Sequence, residues 1–415
     1  MKLRDLCFKS EQEKDDFVGL RFENNMPKVI FPRGFRIPET DDKVRREILK
    51  LFSAIYYFGD RSEGVRDNQY QSSGQSYLNF PINSYQYIIK DFLCNGYYSE
   101  NEVHYIESRN GKINWKRTIQ KERPHLNNGN IVYLQFISKV NQSNSNTLLT
   151  KIHEYCVYES FQKLGWLYLQ DLPKEPSIEF NSTLFLNTLK TELKHTFNEQ
   201  KKKLLQSMLN IIQYQDTQHA PQLHNAYGVE RFEHVWENLI DYEFGENNKD
   251  AFFPKSTWHI ISPSADDYTS SPLEPDTIMI YDGNVYILDA KYYKFGVTGQ
   301  AKHLPATSSI QKQITYSTYI KQMDIVDQNK IYNAFIMPFE KGSMQDENYK
   351  FVSVATADWE KYDANTLNCK YILGILMDTR YLIDNFSKHN RSEIEAMATL
   401  IETSLMEFRR KAEKS

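Results

Sequence analysis

Two short apolar runs joined by an Asp-Gly pair, in "EPDTIMIYDGNVYILDAKYY" at 274–293, place the tightest limit on the fold. Asp-Gly between apolar runs is typical of a tight β-hairpin turn, so we expect two antiparallel strands paired across residues 282–284. Residues two apart on a strand share a face, so Asp289 and Lys291 project together. The pairing brings Asp276 roughly opposite them. Two carboxylates and an ammonium group are therefore predicted to converge on one patch.

Such a patch indicates a particular chemistry. Two Asp oxygens suit a Mg²⁺ ion that keeps several waters and completes its shell with substrate phosphate, and Mn²⁺ is a possible substitute. Lys291 could orient the attacking water or stabilise developing negative charge. The prediction is metal-assisted phosphodiester hydrolysis with Asp276, Asp289 and Lys291 as catalytic residues. The structural alternative is a surface Asp-Lys pair at a strand end, which is common.

An amphipathic helix is expected on each side of the hairpin. The leading helix carries Glu237, and the trailing helix, over about 308–323, carries Gln313. This arrangement resembles the PD-(D/E)xK nuclease core, in which the leading helix often lends an acid to the metal site and the trailing helix a glutamine. Glu237 is thus the predicted third metal ligand and Gln313 a supporting catalytic residue. Glu233 is the competing helix acid, and a solvated helix face is the alternative for either glutamate.

The second half of the chain predicts an α/β (α+β) fold, with an αβββαβ mixed sheet flanked by helices. We expect strands at "TWHIIS", "TIMIYD" and "VYILDAKYY" before the trailing helix, and at "IYNAFIMPF", "FVSVAT" and "YILGILM" after it. The loss of helical periodicity at 213–228 suggests the main boundary. The predicted domains are an N-terminal α/β region that contacts a partner or DNA (1–180), a helical connector (181–220) and an endonuclease domain (221–415).

Helices dominate the first 220 residues. Apolar residues at three- and four-residue spacing predict helices over 41–58 and around 82–92, and a third through "TLLTKIHEYCVYESFQKL" that Gly165 ends. From 182 to about 214 the pattern fits one long helix or a hairpin of two.

A basic segment at 109–125, "RNGKINWKRTIQKERPH", is predicted to be a polar loop or hairpin. It holds six basic residues against the single acid Glu122. It could reach a partner's nucleotide site or grip DNA phosphates, and we favour the partner contact. The alternative is a solvated hairpin whose tryptophan packs on its own domain. Besides Arg109, the candidate contact residues are Lys112, Trp115, Lys116, Arg117, Lys121 and Arg123.

Several segments together resemble the LlaJI restriction endonuclease family: "GKINWKRTI", "HVWENLI", "EPDTIMI", "ILDAKYY" and "SSIQKQITYS". The resemblance implies a type II-like restriction endodeoxyribonuclease subunit, similar to McrC in McrBC-type systems. Its implied partners are double-stranded DNA, a separate AAA+ GTPase or ATPase motor subunit and cognate DNA methyltransferases. In McrC-like subunits the N-terminal region engages the motor, which is why we favour a motor contact for 109–125.

Composition excludes several other classes. A net charge of −4 argues against a wholly basic nucleic-acid binder, so DNA contacts must come from local patches. The four cysteines form no CxxC pair, and we expect them to be buried free thiols. No signal peptide or membrane span is visible, so we expect a cytoplasmic protein. The sequence lacks a GxxxxGK[ST] phosphate loop and should not hydrolyse GTP or ATP itself.

Two other functions compete with a nuclease subunit. One is a non-catalytic regulator that binds DNA or stimulates the motor, although an intact Asp276, Asp289 and Lys291 speaks against it. The other is a self-sufficient site-specific endonuclease whose N-terminal half reads bases.

Overall fold

The structure is a computed structural model of the 415-residue chain. It describes residues 2–12, 16–23, 26–59, 76–77, 80–108, 110–127, 130–144, 146–168, 171–217, 226–261, 266–323, 327–343, 346–363, 365–386 and 388–413. Arg109 of the predicted basic segment lies outside these residues.

The described helices, in chain order, are α1 (Asp41–Phe58), α2 (Ile82–Asn95), α3 (Trp115–Lys121), α4 (Leu148–Tyr168), α5 (Ser182–His195), α6 (Glu199–Thr217), α7 (Phe232–Phe244), α8 (Phe295–Thr298), α9 (Thr307–Gln322), α10 (Thr379–Asn385) and α11 (Arg391–Ala412). The described strands are β1 (Cys7–Lys9), β2 (Val18–Glu23), β3 (Met26–Phe31), β4 (Ser76–Tyr77), β5 (Glu100–Glu107), β6 (Lys112–Ile113), β7 (His125–Asn127), β8 (Asn130–Val132), β9 (Ile137–Asn144), β10 (Ala226–Val229), β11 (Thr257–Trp258), β12 (Tyr268–Thr269), β13 (Thr277–Tyr281), β14 (Asn284–Ala290), β15 (Ile331–Phe339), β16 (Tyr349–Ala355) and β17 (Ile372–Asp378).

The chain divides into two compact units. The first unit combines residues 1–78 with 224–415, and the second unit spans 79–223. This grouping differs from the predicted domains, because β10 pairs with β2 of the N-terminal segment and draws that segment into the same sheet. The predicted connector at 181–220 lies inside the second unit, where α5 and α6 form a helical hairpin.

Two sheets build the first unit. The N-terminal sheet has the order β1-β3-β2-β10-β4, and the other sheet has the order β13-β14-β15-β17-β16. In the second of these, β14, β15 and β17 run parallel, while β13 and β16 are antiparallel edge strands. The predicted mixed α/β fold is confirmed.

The expected hairpin joins β13 to β14. Tyr281 pairs directly with Asn284, and the two turn residues Asp282 and Gly283 have φ of 47° and 73°. Both values lie in the left-handed region that a type I′ turn requires, which is why the Asp-Gly pair identifies the turn.

One expected strand of the core is not part of its sheet. Within "TWHIIS", Thr257–Trp258 pairs with Tyr268–Thr269 in a separate two-stranded ribbon. All four residues of this ribbon are exposed, so no apolar face is buried to hold them against the main sheet. The prediction of a third core strand here is wrong.

Apart from α1, the helices predicted in the first 220 residues lie in the second unit. Gly165 does not end α4, which continues to Tyr168, because glycine in a helix weakens it without stopping it. The segment predicted as a loop or hairpin instead contains α3, whose first turn is capped by the Asn114 side chain accepting from the Arg117 amide at 3.1 Å. Helix α3 contacts β9 of a three-stranded sheet with the order β5-β9-β6, and β7 and β8 form a separate two-stranded ribbon.

The four cysteines are free, but not all are buried. Cys156 and Cys369 are buried, Cys7 is half-buried and Cys94 is exposed. The expectation of four buried thiols is wrong for Cys94, which lies near the C-terminal end of the amphipathic helix α2. Among the described residues, none of the helices combines the length and apolar character needed to cross a membrane.

Candidate active site

The hairpin brings the predicted carboxylates together. Thr277 at the start of β13 pairs with Leu288 of β14, so Asp276 comes beside Asp289. The Asp276 Oδ2 accepts a hydrogen bond from the Ala290 amide at 2.9 Å. By strand alternation, Asp276 shares the face of Ile278, and Asp289 shares the face of Val285 and Ile287.

Lys291 completes this group. Its Nζ lies 2.6 Å from Asp289 Oδ2, and Asp289 is only 8% exposed. The Lys291 amide donates to the Ile336 carbonyl at 2.9 Å, which continues the pairing of β14 with β15 and fixes the lysine's backbone. These three residues therefore form one cluster at the open end of the hairpin, opposite the turn. They are Asp276, Asp289 and Lys291.

The electrostatics of Asp276 are unusual for a carboxyl group. Burial raises its pKa well above the ordinary range, and the neighbouring Asp289 and Glu237 carboxylates raise it further. The Lys291 ammonium group acts in the opposite direction but does not cancel these effects. Carboxyl groups of like charge therefore lie close together where water has little access, as is common at functional sites.

Lys291 keeps its charge in this environment. Burial acts to lower its pKa, yet the adjacent Asp289 and, less strongly, Asp276 raise it above the usual lysine range. The side chain is therefore an ammonium group at neutral pH, able to donate hydrogen bonds but unable to accept a proton.

The two candidate acids of α7 occupy different surroundings. Glu237 is half-buried, raises the pKa of Asp276, and has its Oε2 3.4 Å from His234 Nδ1. Glu233 lies 3.7 Å from Arg231 and is not among the main charges that act on Asp276. Helix α7 is held on the sheet by Trp236, whose Nε1 donates to the Ile336 carbonyl at 3.2 Å. These surroundings favour Glu237 as the helix acid.

Gln313 lies on the face of α9 that packs on the sheet. It is fully buried, as are Tyr316 and Ile320 one and two turns further along that face. Ile320 and Tyr316 contact the Ile278 and Ile287 side of the hairpin, which is also the side of Asp276 and Asp289. Among the described residues, neither side-chain amide atom of Gln313 has a hydrogen-bond partner. A buried, unpaired amide is costly and is a candidate for a functional role.

Three positioning residues were not identified from the sequence. Lys249 Nζ donates to the Asp276 carbonyl at 2.7 Å and pairs with Asp241 at 2.6 Å. The Tyr316 hydroxyl donates to the carbonyl of Glu274 at 3.2 Å, just ahead of Asp276. Arg33 donates from Nη1 to the Tyr292 carbonyl at 2.9 Å. Arg33 and Lys249 lie outside any of the segments quoted above. Tyr316 lies within "SSIQKQITYS", but no sequence signal marks it as a contact of Glu274.

The cluster fits a divalent cation held by few protein ligands. Within the described ranges, no three His, Cys, Asp or Glu side chains are arranged to hold a metal ion between them, so Asp276, Asp289 and Glu237 are not assembled as one ligand set. Mg²⁺ is usually held by one or two carboxylates with waters and substrate phosphates. The two aspartates suit that requirement, and the repulsion that raises the Asp276 pKa is the kind a cation relieves.

The predicted basic contact residues lie in the second unit. Lys112 is in β6, and Lys116, Arg117, Lys121 and Arg123 are exposed in and after α3. The Arg117 guanidinium lies 3.7 Å from the centroid of the Tyr105 ring.

Trp115 opens α3 and is partly packed against its own unit. Its ring makes edge-to-face contacts with Tyr133 and Phe136, at centroid distances of 6.5 and 5.8 Å, yet it remains 54% exposed.

Comparison with known proteins assigns this chain to a family. A sequence model of the LlaJI restriction endonuclease family matches residues 17–370. The Type II restriction enzyme BsuMI component YdjA of Bacillus subtilis (strain 168) is 25% identical over 258 residues, which cover 59% of this chain and 55% of that protein. The chain thus spans about half the length of this curated relative.

Among solved structures, a chain of the "Refined half-complex from tetradecameric assembly of Thermococcus gammatolerans McrB AAA+ hexamers with bound McrC" matches with a TM-score of 0.35 and 15% identity. The match covers 93% of this chain and 83% of that chain. At this TM-score and identity, the likeness supports no conclusion about this chain.

Proposed function

Because this chain belongs to the LlaJI restriction endonuclease family, we propose that it is the Mg²⁺-dependent DNA-cleaving subunit of a restriction-modification system. The reaction is hydrolysis of phosphodiester bonds in double-stranded DNA. The observation that carries the proposal is the convergence of Asp276, Asp289 and Lys291 at one end of the β13–β14 hairpin.

The residues of the cluster have different roles in this proposal. Asp276 and Asp289 are the residues that would hold Mg²⁺, or Mn²⁺ in its place, through their carboxylate oxygens. A bound cation would supply polarisation of the scissile phosphate and activation of a water as the nucleophile. The Ala290 amide, by donating to Asp276 Oδ2, fixes one carboxylate before substrate arrives.

Lys291 acts as a fixed positive charge. Its raised pKa leaves it protonated, so it stabilises the negative charge that develops on the phosphate, or orients a water by donating to it. It does not serve as a general base. The 2.6 Å contact with Asp289 keeps the ammonium group at the cluster without substrate.

Glu237 and Gln313 support this centre from the flanking helices. Glu237 adds negative charge beside Asp276, which increases the cluster's attraction for a cation. Gln313 offers an unpaired amide on the face of α9 that covers this side of the hairpin. We assign both to orienting water or phosphate at the cluster, with a smaller effect on cleavage than the three central residues.

A motor partner is the second part of the proposal. It rests on the resemblance of the sequence to McrC-like subunits, together with the absence of a phosphate loop in this chain. The partner is an AAA+ GTPase or ATPase, and cognate DNA methyltransferases protect the host DNA in the same system.

The partnership is tested by incubating the purified chain with plasmid and Mg²⁺, with and without the motor and its nucleotide. Cleavage that requires the motor supports a subunit of a motor-driven nuclease. Cleavage by the chain alone supports a self-sufficient endonuclease. Motor stimulation without any cleavage under these conditions supports a non-catalytic regulator.

The exposed basic residues of α3 are the proposed motor contact. Lys116→Ala combined with Arg117→Ala should abolish stimulation of the motor's nucleotide hydrolysis, which can be measured without cleavable DNA. If this double variant instead binds DNA more weakly, with a shallower salt dependence, the segment grips phosphate. Normal stimulation and normal DNA binding would leave α3 a solvated surface and remove both functions from it.

A further inference from the structure

A basic cleft opens in the first unit, apart from the catalytic cluster. Its volume is about 750 Å³, and it is lined by the N-terminal segment, the residues before α1, one face of α1, and the start of α10. We call it the α1 cleft. Its charged side chains are mostly basic, and Arg4, Arg36, Lys43 and Arg46 among them are exposed.

Most acids of the α1 cleft are already paired. Arg380 contacts Glu47 at 2.5 and 3.1 Å through two nitrogens. Lys50 lies 3.1 Å from Asp384. The remaining paired acid, Glu340, contacts Lys9. These pairs neutralise three acids with three bases, and they fix the walls of the cleft.

Four further basic residues are left with one acid, Glu39. Arg4, Lys43 and Arg46 make no ion pair with any carboxylate in the part of the chain that the structure describes, and Arg36 donates to the carbonyl of Gly342. All four are exposed. The cleft therefore holds an uncompensated positive charge facing solvent.

The charges on α1 form a row. Lys43, Arg46 and Lys50 are three and four residues apart, so they share one helix face, while Val44, Ile48 and Leu51 bury the opposite face. Lys50 is paired with Asp384, so the uncompensated part of the row is Lys43 and Arg46, about 5 Å apart along the helix axis. With Arg4 and Arg36 in the same cleft, four uncompensated cations suit an extended polyanion better than a single phosphate group.

The α1 cleft lies at the same edge of the sheet as the catalytic cluster. Strands β14, β15 and β17 are parallel, so their carboxyl ends meet at one edge. Lys291 follows the end of β14, Glu340 follows the end of β15, and Arg380 lies just after β17. Ligands of open α/β sheets bind at this edge.

A short segment links the two places directly. Arg33 stacks over the Tyr292 ring at 5.0 Å from its centroid, and its backbone amide donates to the Tyr292 hydroxyl at 2.6 Å. Gly34 has φ of +69°, and a Cβ there would come within 2.7 Å of the Phe339 backbone. Residues 33–36 therefore lie against the end of β15. They run from the contact of Arg33 with Tyr292, the residue next to Lys291, to Arg36 at the α1 cleft.

We propose that the α1 cleft binds the phosphate backbone of the DNA duplex beside the bond to be cut. The inference rests on the proposed nuclease function, and it assigns the DNA contact of this chain to Arg4, Arg36, Lys43 and Arg46. Binding is sequence-independent, because contacts to phosphate position the duplex without reading bases. Its free energy comes largely from counterion release and falls with salt.

The test measures affinity without cleavage. A fluorescein-labelled duplex of about 30 base pairs is titrated with the full chain in EDTA over a range of salt concentrations. Lys43→Glu with Arg46→Glu should weaken binding at least roughly tenfold and make the salt dependence shallower by about two counterions. The neutral pair Lys43→Gln with Arg46→Gln should show a smaller loss in the same direction.

A matched control uses Lys190→Glu with Lys194→Glu on α5, which makes the same change in net charge at exposed positions of the second unit. This control should bind DNA nearly as wild type does, and unchanged thermal melting of all variants would show that folding is intact. Unchanged DNA affinity in the α1 variants would overturn the proposal. So would equal losses in the control, since they would reflect net charge alone.

Two further readouts separate this proposal from its neighbours. If the α1 variants lose affinity for a fluorescent ATP analogue but keep that for DNA, the cleft binds small polyanions and the DNA assignment is overturned. The nuclease proposal is tested separately by cleavage, because DNA binding in EDTA does not depend on the catalytic cluster. A wild-type chain that binds DNA through this cleft yet never cuts it would contradict the nuclease proposal alone.

Discussion

Asp276 carries an energetic cost that its function would explain. Burial and two neighbouring acids oppose its ionisation. We expect Asp276→Asn to raise the melting temperature of the metal-free protein by on the order of a few degrees, while removing cleavage. The amide keeps the shape and can still accept the Ala290 hydrogen bond, but it carries no charge. Differential scanning calorimetry in EDTA measures the change.

The sign of this effect depends on pH. A carboxyl group with a raised folded pKa is favourable to the fold while protonated, and that advantage is lost as the pH rises through the raised pKa. The stabilisation by Asp276→Asn should therefore be larger at about pH 8 than at about pH 4. Asp358→Asn, an exposed control, should show neither effect. An Asp276→Asn protein that melts below wild type at both pH values would contradict the electrostatic account.

His153 in α4 gives the second unit a pH-dependent stability. Burial lowers its pKa from 6.5 to about 4, and its Nδ1 accepts a hydrogen bond from the Tyr98 amide at 3.0 Å. Protonation of Nδ1 would break that bond. The unfolded chain binds the proton near pH 6.5, so the contribution is present above pH 6.5 and is lost as the pH falls towards about 4, by up to roughly 3 kcal/mol.

Hydrogen exchange of the α4 amides from about pH 7 to pH 4, corrected for intrinsic rates, measures this loss. His153→Asn should flatten the pH dependence, whereas the exposed His195→Asn should retain it. An unchanged slope in His153→Asn would assign the effect to other groups.

The sequence predicted that Asp276, Asp289 and Lys291 cluster, but it did not predict the residues that support them. Asp276, Asp289 and Lys291 could be found because a local turn signal and strand alternation fix their relative positions. Arg33 and Lys249 could not, because their partners lie far away in the chain and a lone basic residue has no distinguishing pattern.

At the scale of elements, α7 offers a matched pair of acids. Glu237→Gln should lower cleavage by roughly 10- to 100-fold, because it removes a charge that acts on Asp276. Glu233→Gln, on the same helix, should cut DNA nearly as well as wild type because Glu233 faces Arg231. Plasmid cleavage rates in Mg²⁺ compare the two. Loss of folded protein in Glu237→Gln by thermal melting would favour a structural role for this residue instead.

The segment that carries Arg33 is held against β15 by Gly34. Gly34 and Gly299 have similar positive φ, +69° and +65°, but a Cβ at Gly299 meets no described atom within 4 Å. Alanine at Gly299 should cost about 1 kcal/mol from backbone strain alone. Gly34→Ala should cost roughly 2 kcal/mol more, because it also collides with the Phe339 backbone. Urea unfolding of both variants measures the difference, and equal losses would show that the close approach is relieved at little cost.

Elements that depend on local sequence patterns were predicted better than strand pairings between distant segments. Helix α1 was predicted with the observed bounds, since its apolar spacing and its flanking residues are local signals. The β11–β12 ribbon was mistaken for a core strand because short apolar runs do not reveal whether they are buried. The pairing of β10 with β2 had no local signal at all.

At the scale of the whole molecule, the first unit is built from segments distant in sequence. The first unit joins residues 1–78 to 224–415, so the β13–β14 hairpin and the N-terminal basic residues belong to one body. The second unit carries the exposed basic helix α3 and contributes no residue to the catalytic cluster described above. Separate bodies for cutting DNA and for contacting a motor would let each be altered without loss of the other.

The central claim is that Asp276, Asp289 and Lys291 cut DNA. Its most direct test is the rate of plasmid cleavage in Mg²⁺, with the motor present, for Asp276→Ala, Asp289→Ala and Lys291→Ala, each checked for folding by thermal melting. Asp358→Ala and Lys294→Ala are exposed controls of the same residue types. We expect folded proteins with cleavage reduced by at least roughly 100-fold for the three site variants and near-normal rates for the controls. Near-normal cleavage by any one of the three would contradict the site assignment.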